Sequence, residues 1–113
     1  MSQITTHILD TAKGKPAANV LVFLEQEGEF GGWQALTKGT TDANGRIMDL
    51  LPKDTILPKG MYKLVFEIDD YFKAQKVKSF YPYIEIPFTI RDNAHYHVPL
   101  LLSPFGYSTY RGS

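Results

Sequence analysis

The chain contains three histidines, His7, His95 and His97, and these residues are well suited to acid–base chemistry at neutral pH. An unperturbed imidazole has a pKa near ~6.5, so it can accept or release a proton near neutrality. His7 lies in the middle of an alternating segment, where a surface histidine is the ordinary expectation. His95 and His97 share one face of a strand because side chains alternate. The three histidines are therefore candidates either for an acid–base pair or for a zinc site.

The C-terminal end of the chain is unusual for a terminus. Termini normally fray and are rich in small polar residues, yet this one has an apolar run at residues 98–102, several aromatic residues, and Arg111 close to the last residue. We therefore expect the end to be held against the rest of the protein. A second arginine, Arg46, directly follows the turn sequence Asp42-Ala43-Asn44-Gly45, where a solvated arginine is the ordinary expectation.

Short segments rich in β-branched and aromatic residues, separated by turn signals, predict an all-β fold. The predicted strands are residues 3–10, 19–26, 33–40, 46–50, 61–68, 84–91, 95–103 and 105–111. About eight short strands with a turn signal every roughly ten residues indicate a two-sheet, immunoglobulin-like β-sandwich. The only predicted helix is short, runs through Gln75, and has Asp69 or Asp70 as its expected N-cap.

Side-chain alternation divides residues 95–101 into two sets. One set is Tyr96, Val98 and Leu100, and the other is His95, His97, Pro99 and Leu101. If the first set faces the core, both histidines face outward. Leu101 lies on the same outward face, so we expect apolar cover on both sides of the sheet. In so short a chain the second cover comes most simply from another subunit.

The overall composition limits the classes of function. A length of 113 residues indicates a single domain, residues 1–113, and equal numbers of basic and acidic residues, 12 each, argue against nucleic-acid or anionic-membrane binding. The chain has no cysteine, which excludes disulfides and thiol nucleophiles. The sequence has no apolar run long enough to span a membrane and no secretory signal or peroxisomal tripeptide. We therefore expect a cytoplasmic protein.

Two sequence motifs resemble those of a known enzyme family. The run His95-Tyr96-His97-Val98-Pro99-Leu100-Leu101-Leu102-Ser103-Pro104 and the terminal Tyr110-Arg111-Gly112-Ser113 are similar to the transthyretin-related 5-hydroxyisourate hydrolases. In that family the C-terminal Tyr-Arg-Gly-Ser distinguishes the enzymes from the hormone carrier transthyretin. The resemblance extends over essentially the whole chain and implies a transthyretin-like β-sandwich.

The same resemblance selects the candidate site residues. His7, in His7-Ile8-Leu9-Asp10, matches the catalytic histidine of the family's first strand, and Arg46, in Asn44-Gly45-Arg46, matches its pocket arginine. His97 is the second catalytic histidine by position, which leaves His95 with a structural role. The terminal residues carry over as substrate-binding groups, with Ser113 also among the catalytic residues. These terminal residues are Tyr110, Arg111, Gly112 and Ser113.

The resemblance implies hydrolytic ring opening of 5-hydroxyisourate to 2-oxo-4-hydroxy-4-carboxy-5-ureidoimidazoline in urate breakdown, without metal or organic cofactor. By type, either His7 or His97 can be the base; we expect His97 to activate water and His7 to orient it or to shuttle the proton. Arg46 and Arg111 supply planar donors for imide and urea oxygens. The resemblance also implies a homotetramer, a dimer of dimers, with the sites at the interface between dimers.

Two alternatives come from other functional classes. The first is a non-catalytic carrier like transthyretin, although a hydrophobic carrier channel has no use for a polar set such as His7, Arg46 and the Tyr-Arg-Gly-Ser end. The second is a zinc hydrolase in which His95 and His97 bind the metal from one strand face and His7 is the third ligand. Bound metal, or activity abolished by a chelator, would favour the second.

Overall fold

The computed structural model describes residues 1–113 and shows two packed β-sheets with one short helix, as predicted. The elements are β1 (Ile4–Asp10), β2 (Lys15–Pro16), β3 (Leu21–Glu27), β4 (Trp33–Thr40), β5 (Arg46–Ile47), β6 (Gly60–Glu67), α1 (Asp69–Lys73), β7 (Ile84–Ile90), β8 (Tyr96–Ser103) and β9 (Gly106–Thr109). One sheet has the order β2-β1-β8-β9, with β5 also pairing with β1, and the other has the order β4-β3-β6-β7. No helix has the length and hydrophobicity needed to cross a bilayer.

A single hydrophobic core of 21 buried residues fills the space between the two sheets. Ile4 and Ile8 of β1 enter it from one sheet, and Tyr62 and Leu64 of β6 enter it from the other. The predicted alternation along residues 95–101 is confirmed, since Tyr96, Val98 and Leu100 belong to the core. His97 and Leu101 lie on the opposite face and are partly exposed.

Two details of the strand prediction are wrong. Lys13-Gly14-Lys15-Pro16 predicts a turn after the first strand, but Lys15 and Pro16 form a ninth strand of two residues beside β1. Asp92 and Asn93 are predicted to turn the chain into the terminal hairpin, and this is confirmed, since the turn crosses between the sheets and the hairpin β8–β9 follows it. The strands predicted at residues 46–50 and 105–111 are shorter in the structure. The backbone pairing of the first ends at Ile47, and that of the second ends at Thr109.

The predicted cap of the helix is also wrong. The N-cap of α1 is Ile68, and no side-chain hydrogen bond caps the helix. Ile68 is fully buried, so core packing determines where the chain turns into the helix. The Asp69 carboxylate lies instead 2.8 Å from Nζ of Lys73, one turn along the helix.

The pairing of β1 with its neighbours determines which polar side chains meet on the outer face of the first sheet. The β1–β8 pair is parallel and places Thr5 opposite His97 and His7 opposite Pro99. The short β5 pairs with β1 on its other side and places Arg46 opposite His7. Residues from the beginning, the middle and the end of the chain therefore meet around β1.

Candidate active site

The turn before β5 delivers Arg46 to His7. The Asp42 carboxylate Oδ1 accepts hydrogen bonds from the backbone N–H groups of Asn44, at 2.8 Å, and Arg46, at 3.0 Å. Gly45 has a φ of +73°, and a Cβ at this position would lie 2.5 Å from the Ile8 carbonyl oxygen. Only glycine allows this close approach, which also lets the Ile8 N–H donate a 2.8 Å hydrogen bond to the Gly45 carbonyl. The turn is thus fixed on β1.

The ring of His97 is held by the side chain directly opposite it on β1. The Thr5 Oγ1 atom lies 2.7 Å from Nδ1 of His97 and 2.8 Å from Nε2 of His95. Thr5 is fully buried although it belongs to the outer face of the sheet, since the two imidazoles cover it. With Nδ1 engaged, Nε2 is the nitrogen of His97 available to a substrate or a water.

The surroundings of His7 and His97 favour the neutral form of both rings. Burial lowers the pKa of His7, and the Arg46 guanidinium lowers it further. Burial also lowers the pKa of His97, with additional contributions from His95, Arg46 and His7. A neutral imidazole has a lone pair on one ring nitrogen, so each of these rings can accept a proton at pH 7.

Arg46 is the unpaired cation of this cluster. The ion pairs of the protein join Lys63 to Glu25 and Glu85, and Lys73 to Asp69, and none of them includes Arg46. The Asp42 carboxylate binds the Arg46 backbone N–H rather than its guanidinium. A guanidinium without a carboxylate partner can donate hydrogen bonds to carbonyl oxygens and stabilise negative charge that develops on them.

The chain end folds back onto His97. The Gly112 N–H donates a 2.9 Å hydrogen bond to the His97 carbonyl. A Cβ at Gly112 would lie 2.5 Å from Cδ2 of the His97 ring, so a larger residue would displace the imidazole. Tyr110 and Ser113, on either side, are exposed. The chain end is therefore held in place, as predicted, and the backbone hydrogen bond of Gly112 holds it.

Arg111 has a different placement from the other predicted site residues. Its guanidinium lies 4.3 Å from the centroid of the Tyr96 ring, and its Nη2 donates a 3.4 Å hydrogen bond to the His95 carbonyl. Tyr96 lies on the face of β8 opposite to His97. Arg111 and His97 both line a cavity of about 250 Å³ beside β7. Within one chain the structure brings together His7, Arg46 and His97, whereas the Arg111 guanidinium lies against Tyr96 and the His95 carbonyl.

The structure does not provide a ligand set for the zinc alternative. No group of three or more His, Cys, Asp or Glu side chains is placed to bind one metal ion. His95 and His97 direct one ring nitrogen each at Thr5 instead. Thr5 itself was not among the predicted site residues. The signal that identifies it is its position two residues before His7, on the same face of the same strand.

Comparison with known proteins decides the family. The sequence model of the HIUase/Transthyretin family matches residues 4–112. The chain belongs to the HIUase/Transthyretin family. It is 49% identical to the 5-hydroxyisourate hydrolase of Salmonella typhimurium over 111 residues, which cover 97% of this chain and 80% of that protein.

Solved structures of this family share the fold. Sea bream transthyretin in complex with thyroxine matches with a TM-score of 0.91 and 34% identity, over 98% of this chain and 95% of that one. The Klebsiella pneumoniae 5-hydroxyisourate hydrolase matches with a TM-score of 0.84 and 38% identity, over 97% and 92%. The transthyretin-like fold is confirmed. Because a thyroxine-bound transthyretin and a 5-hydroxyisourate hydrolase share this backbone, the fold alone does not determine the function, and the side chains have to.

Proposed function

We propose that this protein is a 5-hydroxyisourate hydrolase, which opens the ring of 5-hydroxyisourate to 2-oxo-4-hydroxy-4-carboxy-5-ureidoimidazoline in urate breakdown. The observation that carries the proposal is the cluster of two neutral imidazoles, His7 and His97, beside the unpaired guanidinium of Arg46. The relatives with high identity over nearly the whole chain, among them the Salmonella typhimurium enzyme, bear the same name.

The three side chains match the needs of this hydrolysis. His97, with its free Nε2, takes a proton from water as the water attacks the ring carbonyl. Arg46 donates to the carbonyl oxygen, where negative charge develops. His7 lies on β1, opposite Arg46 of β5. It orients the water or carries the proton to the departing ring nitrogen. A metal ion is not needed for any of these steps.

The terminal residues complete the proposed site. The close packing of Gly112 against His97 directs the last residues toward the imidazole, and Ser113 is available to hydrogen-bond the substrate or the water through its hydroxyl or its terminal carboxylate. Tyr110 and Arg111 contribute to substrate binding beside His97, in the cavity that all three residues line.

We also propose that the protein is a homotetramer, a dimer of dimers, with its sites between dimers. His7 and Arg46 line none of the four cavities of the single chain, so the surface they occupy is open. A second copy would enclose it and exclude water from the substrate. The strands β7 and β9 end the two sheets, and unpaired strand edges are suited to pairing with another copy.

The activity is tested by generating 5-hydroxyisourate in place from urate with urate oxidase and following its absorbance with and without the protein. We expect the decay to be faster with the protein, and equally fast in the presence of EDTA. Decay at the spontaneous rate would contradict the proposal. In that case thyroxine binding, which the sea bream match suggests as a probe, would test a carrier function.

The assembly is tested by size-exclusion chromatography with light scattering. We expect a particle with four times the mass of the 12.8 kDa chain. A monomer that is fully active would contradict the proposed location of the sites, because His7 and Arg46 would then act on an open surface.

A further inference from the structure

The hydroxyl of Thr5 lies between two imidazoles, and this arrangement is not explained by the proposed roles of the three site residues. Oγ1 is 2.7 Å from Nδ1 of His97 and 2.8 Å from Nε2 of His95, and the two rings are inclined by only 28° with centroids 6.2 Å apart. Thr6, the next residue, is equally buried, but its hydroxyl donates to the Val98 carbonyl in the ordinary way, at 2.6 Å. The Thr5 hydroxyl is therefore specifically engaged by side chains.

Hydrogen-bond valence couples the two rings. A hydroxyl has one proton to donate, so it can donate to only one of the two ring nitrogens, and the other nitrogen must bring its own proton. If Thr5 donates to His97, then Nδ1 of His97 is unprotonated and the neutral ring has its proton on Nε2. If Thr5 donates to His95, then Nδ1 of His97 is protonated and Nε2 has the lone pair. The tautomer of one histidine thus determines that of the other.

We propose that Thr5 and His95 are positioning residues that hold His97 in the tautomer with a free Nε2. In this arrangement His97 donates from Nδ1 to the Thr5 oxygen, and the Thr5 hydroxyl donates to Nε2 of His95. The inference rests on the proposed function, in which His97 takes a proton from water. The proposed role of His95 differs from the expectation that His95 is only structural. His95 accepts the Thr5 hydroxyl proton, which would otherwise be donated to His97.

No side chain other than Thr5 forms a hydrogen bond with the His97 ring. His7 and Arg46 face it from β1 and β5, and the nearby Arg111 side chain is a donor to the His95 carbonyl. His95 itself borders a separate surface cleft with Lys53 and Asn93, away from the cavity lined by His97. The Thr5 hydroxyl is the only side-chain hydrogen-bonding partner of the His97 ring within the chain, and the one other contact is with the Thr5 backbone.

The first test reads the tautomers directly by ¹⁵N NMR of the three histidines at about pH 8, where imidazoles are neutral. We expect His97 in the wild-type protein to be protonated on Nδ1. In His95→Leu the Thr5 hydroxyl loses the His95 acceptor and donates to Nδ1 of His97. We therefore expect the ring proton of His97 to be on Nε2 in this variant. In His95→Gln the side-chain carbonyl can accept the Thr5 proton, so the wild-type tautomer returns. Protonation of His97 on Nε2 in the wild-type protein would overturn the proposal.

The second test uses kinetics. We expect kcat to fall by about tenfold or more in His95→Leu and Thr5→Val, on the scale of a weakened general base, with KM close to wild type and with rescue in His95→Gln and Thr5→Ser. The matched control is Thr6→Val, which removes an equally buried hydroxyl from the same strand and should leave kcat unchanged. An unchanged kcat in His95→Leu would overturn the proposal.

The two tests separate this inference from the proposed function. If the wild-type protein does not accelerate 5-hydroxyisourate decay, the proposed function fails, whereas the NMR spectrum still decides whether Thr5 and His95 fix the tautomer. If the protein is active but the His97 tautomer is the same in wild type and His95→Leu, the function stands and the positioning role is wrong.

Discussion

The outer face of each sheet contains a cation surrounded by side chains of neighbouring strands. The cation is paired with carboxylates on one face and unpaired on the other. On the second sheet, Lys63 lies 2.7 Å from Glu85 and 3.7 Å from Glu25, with its ammonium 4.3 Å from the centroid of the Trp33 ring. We call these four residues the ion-pair face. On the first sheet, Arg46 has two neutral imidazoles as neighbours, and its guanidinium forms no ion pair with a carboxylate. Thr5, His7, Arg46 and His97 form what we call the imidazole face.

The comparison shows how a charged cluster that stabilises the fold differs from one that is available to a ligand. The cation of the ion-pair face is mostly buried and is neutralised within the chain. The cation of the imidazole face is exposed and forms no ion pair. Burial lowers the pKa of both neighbouring imidazoles, and the Arg46 charge lowers it further. Such a face retains its capacity to bind an electron-rich substrate. The two faces should therefore respond in opposite ways to substitution.

The largest effect is expected for His97→Asn. Loss of the proposed base should lower kcat by roughly a hundredfold or more, whereas the melting temperature should stay close to that of the wild type, because His97 lies on the outer face and not in the core. The measurement is the absorbance decay of 5-hydroxyisourate together with thermal unfolding. The matched control from the ion-pair face is Glu85→Gln, which should keep full activity. A wild-type rate in His97→Asn would remove this residue from the mechanism.

Arg46→Gln should separate activity from stability on the imidazole face. We expect kcat to fall by about a hundredfold, on the scale of losing one donor to a developing oxyanion. Because Arg46 is exposed and forms no ion pair, the free energy of unfolding should change by no more than about 0.5 kcal/mol. Arg46→Lys should restore only part of the rate, since an ammonium does not have the planar donors of a guanidinium. Full activity in Arg46→Gln would show that the charge of Arg46 does not contribute to catalysis.

Lys63→Met is expected to give the reverse result. Removing the cation leaves Glu25 and Glu85 facing each other across β6 without a partner. Since both carboxylates are partly exposed, water can compensate in part, and we expect a loss of about 1–2 kcal/mol in the free energy of unfolding. Urea denaturation measures this loss, and the rate of 5-hydroxyisourate decay should not change. If stability were unaffected and activity fell, the distinction between the two faces would be wrong.

The features that the sequence predicted correctly are those that depend on local pattern. Side-chain alternation correctly put Tyr96, Val98 and Leu100 on one face, which is the core face, and His97 on the other. The turn chemistry of Asn44-Gly45 correctly put Arg46 at the start of a strand. These predictions succeed because the period of a strand and the conformational freedom of glycine do not depend on the rest of the fold.

The features that the sequence did not predict depend on contacts between distant segments. The engagement of Thr5 with His95 and His97 requires the parallel register of β1 and β8, which joins residues about 90 positions apart along the chain. Likewise, the stacking of Arg111 on Tyr96 depends on the path of the chain end past the edge of β8, and the burial of Ile68 overrides the local preference for a carboxylate cap. Alternation along one strand contains no information on these contacts.

The smallest effect expected is a change in the titration of His7 and His97. Because burial and the Arg46 charge lower the pKa of both imidazoles, protonation requires a pH below the ordinary value near ~6.5, and the proposed activity should persist to that lower pH. In Arg46→Gln the guanidinium is gone while burial remains, so the pKa of each histidine should rise part of the way toward its ordinary value. NMR titration of the ring protons measures both values in each variant. Lys63→Met is the matched control, because it removes a cation from the other sheet and should leave both titrations unchanged. Equal histidine pKa values in wild type and Arg46→Gln would show that the charge of the imidazole face does not keep its rings neutral, and burial alone would then have to account for it.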